Sequence, residues 1–198
     1  KIKRVGDFVR EFSNAAKRRE GKAVAFEEAG RLVSARESYM TASLLWAAGR
    51  WPIFETNDEL EHLEERMNHC YAKFIAHAPH PVEIVRIPFQ GKELPAYLHL
   101  PRKPEPGETF PCVVNIPGMD SSKETGVNMY GDSYLERGIA VLSIDGPGQA
   151  ESVALGIYVT NSNHMDAAKT VVDWLEEHPE IDSSKLLVRG SSFGTYWG

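Results

Sequence analysis

The pentapeptide Gly190-Ser191-Ser192-Phe193-Gly194 follows directly on the apolar run Leu186-Leu187-Val188 and Arg189. A G-x-S-x-G pattern between a strand-like segment and a stretch that can open a helix, here Thr195-Tyr196-Trp197, demands a sharp strand-to-helix turn. Small residues two positions either side of the central serine let the backbone bend that tightly, and the turn holds the hydroxyl out at the top of a sheet. The chain is therefore expected to build a sheet that presents Ser192 as a nucleophile. Ser191, at the wrong place in the pattern, is no candidate. A Gly/Ser-rich turn without chemistry is the competing reading, and the preceding strand weighs against it.

The segments upstream supply that sheet. Val82, Ile84, Val85 and Ile87 form one strand-like segment and Ala96, Tyr97, Leu98 and Leu100 another, with a turn at Gln90-Gly91-Lys92 between them. Cys112-Val113-Val114-Asn115-Ile116 is nearly continuous in apolar residues, as expected of a strand covered on both faces. A helix around Asn128–Arg137, a strand over Ile139–Ile144, a helix from about Asn163 to Glu177 and the strand into the pentapeptide follow. Strand, helix, strand, helix, strand at this spacing predicts crossover connections and a mostly parallel sheet, an α/β fold.

The first eighty residues have a different texture. Val5, Phe8, Val9 and Phe12 form one apolar stripe, and Leu32, Ala35, Tyr39, Ala42 and Trp46 recur at three- and four-residue steps. Leu60, Leu63, Met67, Tyr71 and Phe74 do the same. Thr56-Asn57-Asp58-Glu59 fits a capping box with Thr56 as the cap. The sequence predicts a helical domain over 1–80 and a sheet domain over 81–198.

A net charge of -6 argues against nucleic acid as a partner, because the phosphate backbone rewards clustered Lys and Arg. No apolar run approaches the ~18 residues a membrane span needs. The N-terminus shows no signal-peptide core, and Cys70 and Cys112 read as free thiols, so a cytoplasmic protein is expected. His77 and His80 flank Ala78-Pro79 without an acidic or cysteine cluster, which makes them loop residues rather than metal ligands. Neither a metal nor an organic cofactor is expected; the expected partner is a small-molecule substrate.

A serine nucleophile needs a base and donors aimed at the oxyanion that develops on the attacked carbonyl. One donor at such a turn is the amide after the nucleophile, here Phe193, and the second comes from the loop after an earlier strand. That loop is Ile116-Pro117-Gly118-Met119-Asp120-Ser121-Ser122-Lys123-Glu124. Gly118 allows close backbone approach, and the amide of Met119 or Asp120 is the expected donor. Asp145-Gly146-Pro147-Gly148-Gln149-Ala150-Glu151 after the next strand makes a rigid turn where ligands sit in open α/β sheets. Its two carboxylates, Asp145 and Glu151, are expected to be structural.

Together G-M-D-S-S-K-E, D-G-P-G-Q, Pro179-Glu180-Ile181-Asp182-Ser183-Ser184-Lys185 and G-S-S-F-G resemble one branch of the α/β-hydrolases. That branch holds the fermentation-respiration-switch-type esterases, 2,6-dihydroxypseudooxynicotine hydrolase and fungal polyketide-shortening hydrolases. The resemblance implies an α/β-hydrolase core, Ser192 as nucleophile, an oxyanion hole at Gly118-Met119-Asp120, and N-terminal helices that form a cap and support a homodimer. Two positions depart from the branch: Ala150 replaces the third glycine of D-G-P-G-Q-G-E, and Thr195 replaces a glycine that often follows the elbow. The C–C bond hydrolases of the branch also use an extra glutamate downstream of the nucleophile; no position of this sequence can be matched to it, and its assignment stays open.

In this fold the triad runs in the order serine, acid, histidine, and no histidine follows Ser192 before Gly198. The acid and base are accordingly expected from a C-terminal part of a longer enzyme. The reading is hydrolysis at an activated carbonyl, of a carboxylic ester or of a C–C bond in a bulky aromatic or polyketide-like substrate. C–C cleavage also needs a proton delivered to the leaving group, and Asp120 is the candidate donor if burial raises its pKa. Tyr39, Trp46 and Tyr71, with Phe74, are candidate substrate-facing residues of the cap, against plain helix packing as the alternative. Acyl transfer on the same fold, or a catalytically silent relative that binds a partner, are the remaining alternatives.

Overall fold

A computed structural model of the chain describes residues 2–53, 55–127 and 132–198. The chain forms two compact units, Lys1–Pro79 and His80–Gly198.

The first unit consists of α1 (Asp7–Glu28), α2 (Leu32–Gly49) and α3 (Asp58–Ala76). Ala16 of α1, Ala42 and Trp46 of α2, and Leu63, Met67 and Cys70 of α3 close into one apolar cluster. The small residues let the helices approach while the indole fills the space between them. Buried polar groups are answered inside the unit: Trp46 Nε1 donates to Glu20 at 3.2 Å, and Ser43 Oγ donates to the Met67 carbonyl at 3.0 Å. The cap of α3 lies one residue later than the capping-box reading: Asn57, not Thr56, is the N-cap, its side chain accepting from the Leu60 amide at 2.9 Å. Asparagine and threonine are both good caps, and the extended backbone at Asn57 decides between them.

Glu27 ties all three helices of this unit together. Its carboxylate accepts from Tyr39 Oη at 2.6 Å, meets His77 Nε2 at 2.8 Å and lies 3.3 Å from Lys73 Nζ. These partners, Tyr39 and His77 foremost, hold its pKa down from 4.5 to about 2.

The second unit is a five-stranded sheet in the order β1-β2-β4-β3-β5. Its strands are β1 (Val82–Phe89), β2 (Lys92–His99), β3 (Phe110–Ile116), β4 (Ala140–Ile144) and β5 (Ile181–Gly190). Three short or medium helices accompany them: α4 (Ala150–Ala154), α5 (Asn163–Glu177) and α6 (Gly194–Trp197). β3 pairs in parallel with β4 and with β5, as the spacing of the segments predicts. The sheet is mixed rather than mostly parallel, because β1 pairs antiparallel with β2 and β2 antiparallel with β4. The two-residue turn accounts for the first of these pairings: Gln90 and Gly91 have φ of +48° and +77°, the doubly left-handed turn that joins adjacent antiparallel strands.

Alternation along the central strands covers both faces. Cys112, Val114 and Ile116 join Ala140, Leu142 and Ile144 in a cluster with Val171 and Leu175 of α5. Val113 and Val141 point the other way, against Val127 and Leu135. β5 is an edge strand, with Leu187 and Val188 50% and 59% exposed. Of the helix expected around Asn128–Arg137, residues 128–131 lie outside the described residues, and the remainder holds only a 3₁₀ turn over Leu135–Arg137.

The loops that matter leave the carboxyl ends of β4, β3 and β5, three strands side by side. The chain runs from β3 to β4 and then back past β3 to β5, so the order reverses about β3, where open α/β sheets bind ligands.

Glu27 makes the helical unit acid-sensitive. A carboxyl held below its unfolded pKa contributes stability that is fully present above about pH 4.5 and is lost as the pH falls toward 2. Glu27→Gln is expected to lower the thermal midpoint at pH 7 and to flatten its fall between pH 4.5 and 2, followed by circular dichroism. A wild-type acid profile in the variant excludes Glu27 as the source.

Candidate active site

The sharp turn demanded by the pentapeptide is present. β5 ends at Gly190, Ser192 stands at φ +52°, and α6 begins at Gly194. A side chain in the left-handed region costs roughly 1–2 kcal/mol, so the surroundings must enforce it. Hydrogen bonds do this on both sides: the Ser191 amide donates to the Ile116 carbonyl at 3.2 Å, the Gly194 amide to the Ser191 carbonyl at 2.8 Å, and the Thr195 amide to the Ser192 carbonyl at 3.0 Å. Ser192 itself is exposed.

Both flanking glycines are required by backbone crowding. A Cβ at Gly190 would lie 2.5 Å from the Gly194 carbonyl oxygen and 2.6 Å from the Thr195 Cα. A Cβ at Gly194 would strike the Ile116 carbonyl oxygen and lie 2.5 Å from that of Pro117. No side chain can yield here: a larger residue at Gly190 must part the end of β5 from the first turn of α6, and one at Gly194 must part β3 and its exit loop from the elbow.

The loop after β3 lies against the serine. A Cβ built on Gly118 would stand 3.1 Å from the Ser192 Cβ and 3.7 Å from its Oγ. The Gly118 carbonyl accepts from the Ser121 amide at 3.2 Å, closing a turn over Gly118–Ser121. Because a trans peptide sets C=O and N–H on opposite sides, the Met119 amide points out of that turn. Among the described residues no backbone carbonyl takes up the amide of Met119 or of Phe193. Gly118 thus lies beside Ser192, and the amides of Met119 and Phe193 are the next along the chain from these two residues.

Asp120 is exposed, so the burial on which its role as a proton donor depends is not met. Tyr39, Trp46 and Tyr71 are buried at 1%, 1% and 0% exposure. Tyr39 is hydrogen-bonded to Glu27, Trp46 to Glu20, and Tyr71 stands 5.1 Å from the Phe74 ring. In this structure they serve the packing of the helical unit. His77 is bonded to Glu27, and His80 Nε2 stands 2.9 Å from Nδ1 of the buried His99. No cluster of three or more His, Cys, Asp or Glu side chains able to hold a metal occurs among the described residues.

The sequence reading passed over a buried ionic cluster. The Lys123 side chain, 2% exposed, has its ammonium 2.8 Å from Glu124 Oε1, 2.7 Å from Glu151 Oε2 and 3.3 Å from Asp145 Oδ2. It also lies 5.0 Å from the centre of the Tyr97 ring. Asp145 accepts from the Lys123 amide at 2.8 Å and from the Glu151 amide at 3.3 Å, and Arg86 reaches Glu151 at 2.6 Å. Burial pulls the lysine pKa down, and Glu124, Asp145 and Glu151 more than reverse that, keeping it charged. Burial pushes Asp145 up to about 6 against the pull of Lys123. One signal was present: D-S-S-K-E and D-G-P-G-Q-A-E each follow an apolar strand, and charges at the ends of adjacent buried strands must answer one another.

The second loop carries a strained residue. Ala150 stands at φ +33°, in the left-handed region. His164, in the first turn of α5, stacks on Trp197 of α6 with ring centres 3.6 Å apart and planes 7° from parallel.

The Esterase FrsA-like family model matches residues 2–197. The chain belongs to the FrsA-like esterase family. Esterase FrsA of Photobacterium profundum is 24% identical over 189 residues, covering 96% of this chain and 44% of that protein. Hydrolyase ccsE of Aspergillus clavatus is 32% identical over 145 residues, covering 68% of this chain and 33% of that one. Among solved structures, 2,6-dihydroxy-pseudo-oxynicotine hydrolase superposes with a TM-score of 0.74 at 24% identity, over 94% of this chain and 51% of that one. The fold is that of the α/β-hydrolases. This FrsA-like chain spans less than half the length of the curated relatives it matches.

Two substitutions probe the loops. Ala150→Gly is expected to stabilise the protein by about 0.5–1 kcal/mol, the left-handed cost less glycine's extra chain entropy, seen as a raised thermal midpoint. A lowered midpoint overturns the strain argument. Lys123→Met leaves Glu124, Asp145 and Glu151 buried without their cation and is expected to cost about 3–5 kcal/mol in urea unfolding. A cost below about 1 kcal/mol would deny the cluster its structural role.

Proposed function

We propose that this chain carries the nucleophile and oxyanion hole of a serine hydrolase acting on carboxylic esters. One observation carries the reading: Ser192 is held exposed at φ +52°, beside a loop whose Gly118 packs so closely that a Cβ there would stand 3.1 Å from the Ser192 Cβ. Strain of this kind persists only where surrounding structure enforces it, and it clusters at functional sites.

In the proposed reaction Ser192 Oγ attacks the ester carbonyl while its proton passes to a histidine base. The developing oxyanion is received by the amides of Phe193 and Met119. The tetrahedral intermediate collapses to an acyl-serine as the alcohol leaves with the proton returned by the base. Water, deprotonated in turn by that base, adds to the acyl carbon, and the acid leaves as the bond to Ser192 Oγ breaks and the base returns the proton to that oxygen. The base and its orienting carboxylate belong to a segment C-terminal to Gly198, which accords with the 44% of Esterase FrsA that this chain covers. The exposed Leu187 and Val188 on β5 accord with further core beside that strand.

Ester hydrolysis is preferred to C–C cleavage because it needs only this machinery. C–C cleavage also requires a group that protonates a carbanion-like leaving group, and exposed Asp120 lacks the environment for that role.

The test uses the full-length protein with a p-nitrophenyl ester, a β-diketone and a fluorophosphonate probe. The wild type is expected to hydrolyse the ester and to be labelled by the probe at Ser192. Ser192→Ala is expected to lose labelling entirely and at least about 10³-fold in turnover. Full turnover in Ser192→Ala overturns the assignment of the nucleophile, and preferential cleavage of the diketone overturns the substrate class.

A further inference from the structure

The Pro117 carbonyl stands at the meeting of three loops. Gln149 Nε2 donates to it at 2.7 Å, and a Cβ on Gly194 of the elbow would lie 2.5 Å from it. The same carboxamide is fixed at its other end, where Gln149 Oε1 accepts from the Gly146 amide at 2.8 Å. The Gln149 amide itself donates to the Gly146 carbonyl at 2.9 Å. Gln149 is 6% exposed and spans from the loop after β4 to the loop after β3. Both polar atoms of its head group are bonded, so the carboxamide has one orientation.

From this geometry we infer that Gln149 is a positioning residue for the oxyanion hole. Fixing the Pro117 carbonyl fixes the plane of the Pro117–Gly118 peptide. The next peptide plane is fixed by the bond from the Ser121 amide to the Gly118 carbonyl, and the Met119 amide is the opposite end of that plane. Two successive planes are thereby set, one by a side chain from a different loop and one by the turn. The downstream end of the loop is tied by Asp145, which takes the Lys123 amide at 2.8 Å. The D-G-P-G-Q segment therefore splints the oxyanion loop at both ends, and Gln149 holds the end nearest Ser192. Oxyanion donors act only when aimed at the place the oxyanion will occupy, and an error near 1 Å costs on the order of 100-fold in rate.

Ser152→Ala is the control, because Ser152 Oγ anchors the same loop by donating to the Asp145 carbonyl at 2.7 Å without touching Pro117. The inference rests on Ser192 being the nucleophile, and the experiment separates the two. In the full-length protein, Gln149→Glu keeps the shape of the side chain but turns an oxygen toward the Pro117 oxygen; Gln149→Met keeps the bulk and removes the donor. For both, kcat on a p-nitrophenyl ester and the rate of fluorophosphonate labelling are expected to fall about 100-fold, with KM within about twofold of wild type. Ser152→Ala is expected to lower the thermal midpoint while keeping kcat within about threefold. Wild-type labelling and kcat in the Gln149 variants overturn the positioning role and leave Ser192 in place. Failure of Ser192→Ala to abolish labelling overturns the nucleophile instead, and the positioning role with it. If both Gln149 variants fail to fold, or if Ser152→Ala loses kcat as heavily as they do, Gln149 is a general stabiliser and the inference falls.

Discussion

Close backbone contact between β3's exit loop and the elbow after β5 is the constraint on which the site depends. Gly194 packs on the Ile116 and Pro117 carbonyls and Gly118 on Ser191 and Ser192, so the two segments meet closely, while Gly190 lets the elbow fold back on the end of β5. The contact is possible because β3 and β5 are parallel neighbours whose exits lie side by side. It forces Ser192 into the left-handed region and seats the Met119 turn beside it. Backbone packed against backbone is hard to deform, which suits groups that must not reorganise during a reaction.

Behind that contact the D-G-P-G-Q segment divides its work between two kinds of bond. Gln149 uses a neutral carboxamide on the Pro117 carbonyl, at the end of the loop that meets the elbow. Asp145 uses a carboxylate farther along, where Lys123 balances it. Buried ion pairs contribute little net stability against an apolar replacement, yet losing one partner is costly. Lys123 and its carboxylates therefore penalise any arrangement that separates the loops.

Much of this was legible in the chain because the informative features are local. The pentapeptide expresses a backbone requirement within five residues, and the Gln90-Gly91 turn expresses another within two. The parallel arrangement of β3, β4 and β5 followed from the spacing of apolar runs. What escaped was nonlocal or depended on exposure. Lys123 meets Asp145 and Glu151 across 22 and 28 positions of sequence, and Gln149 reaches Pro117 across 32, with no periodicity to announce either. The exposure of Asp120 and the strain at Ala150 escaped for a related reason. Residue type alone does not tell that Asp120 faces solvent, or that alanine here occupies a conformation better suited to glycine.

The stack of His164 on Trp197 has an optical consequence. A protonated imidazole withdraws excited-state density from an indole in contact with it far more effectively than a neutral one. Burial keeps the pKa of His164 below its ordinary value, which favours the neutral ring in this stack. Trp197 lies five residues from Ser192 on the elbow helix. Trp197 thus couples the elbow helix to α5 through one flat ring contact, and a tryptophan-to-phenylalanine difference spectrum would single it out from Trp46 and Trp174, which also meet histidine rings.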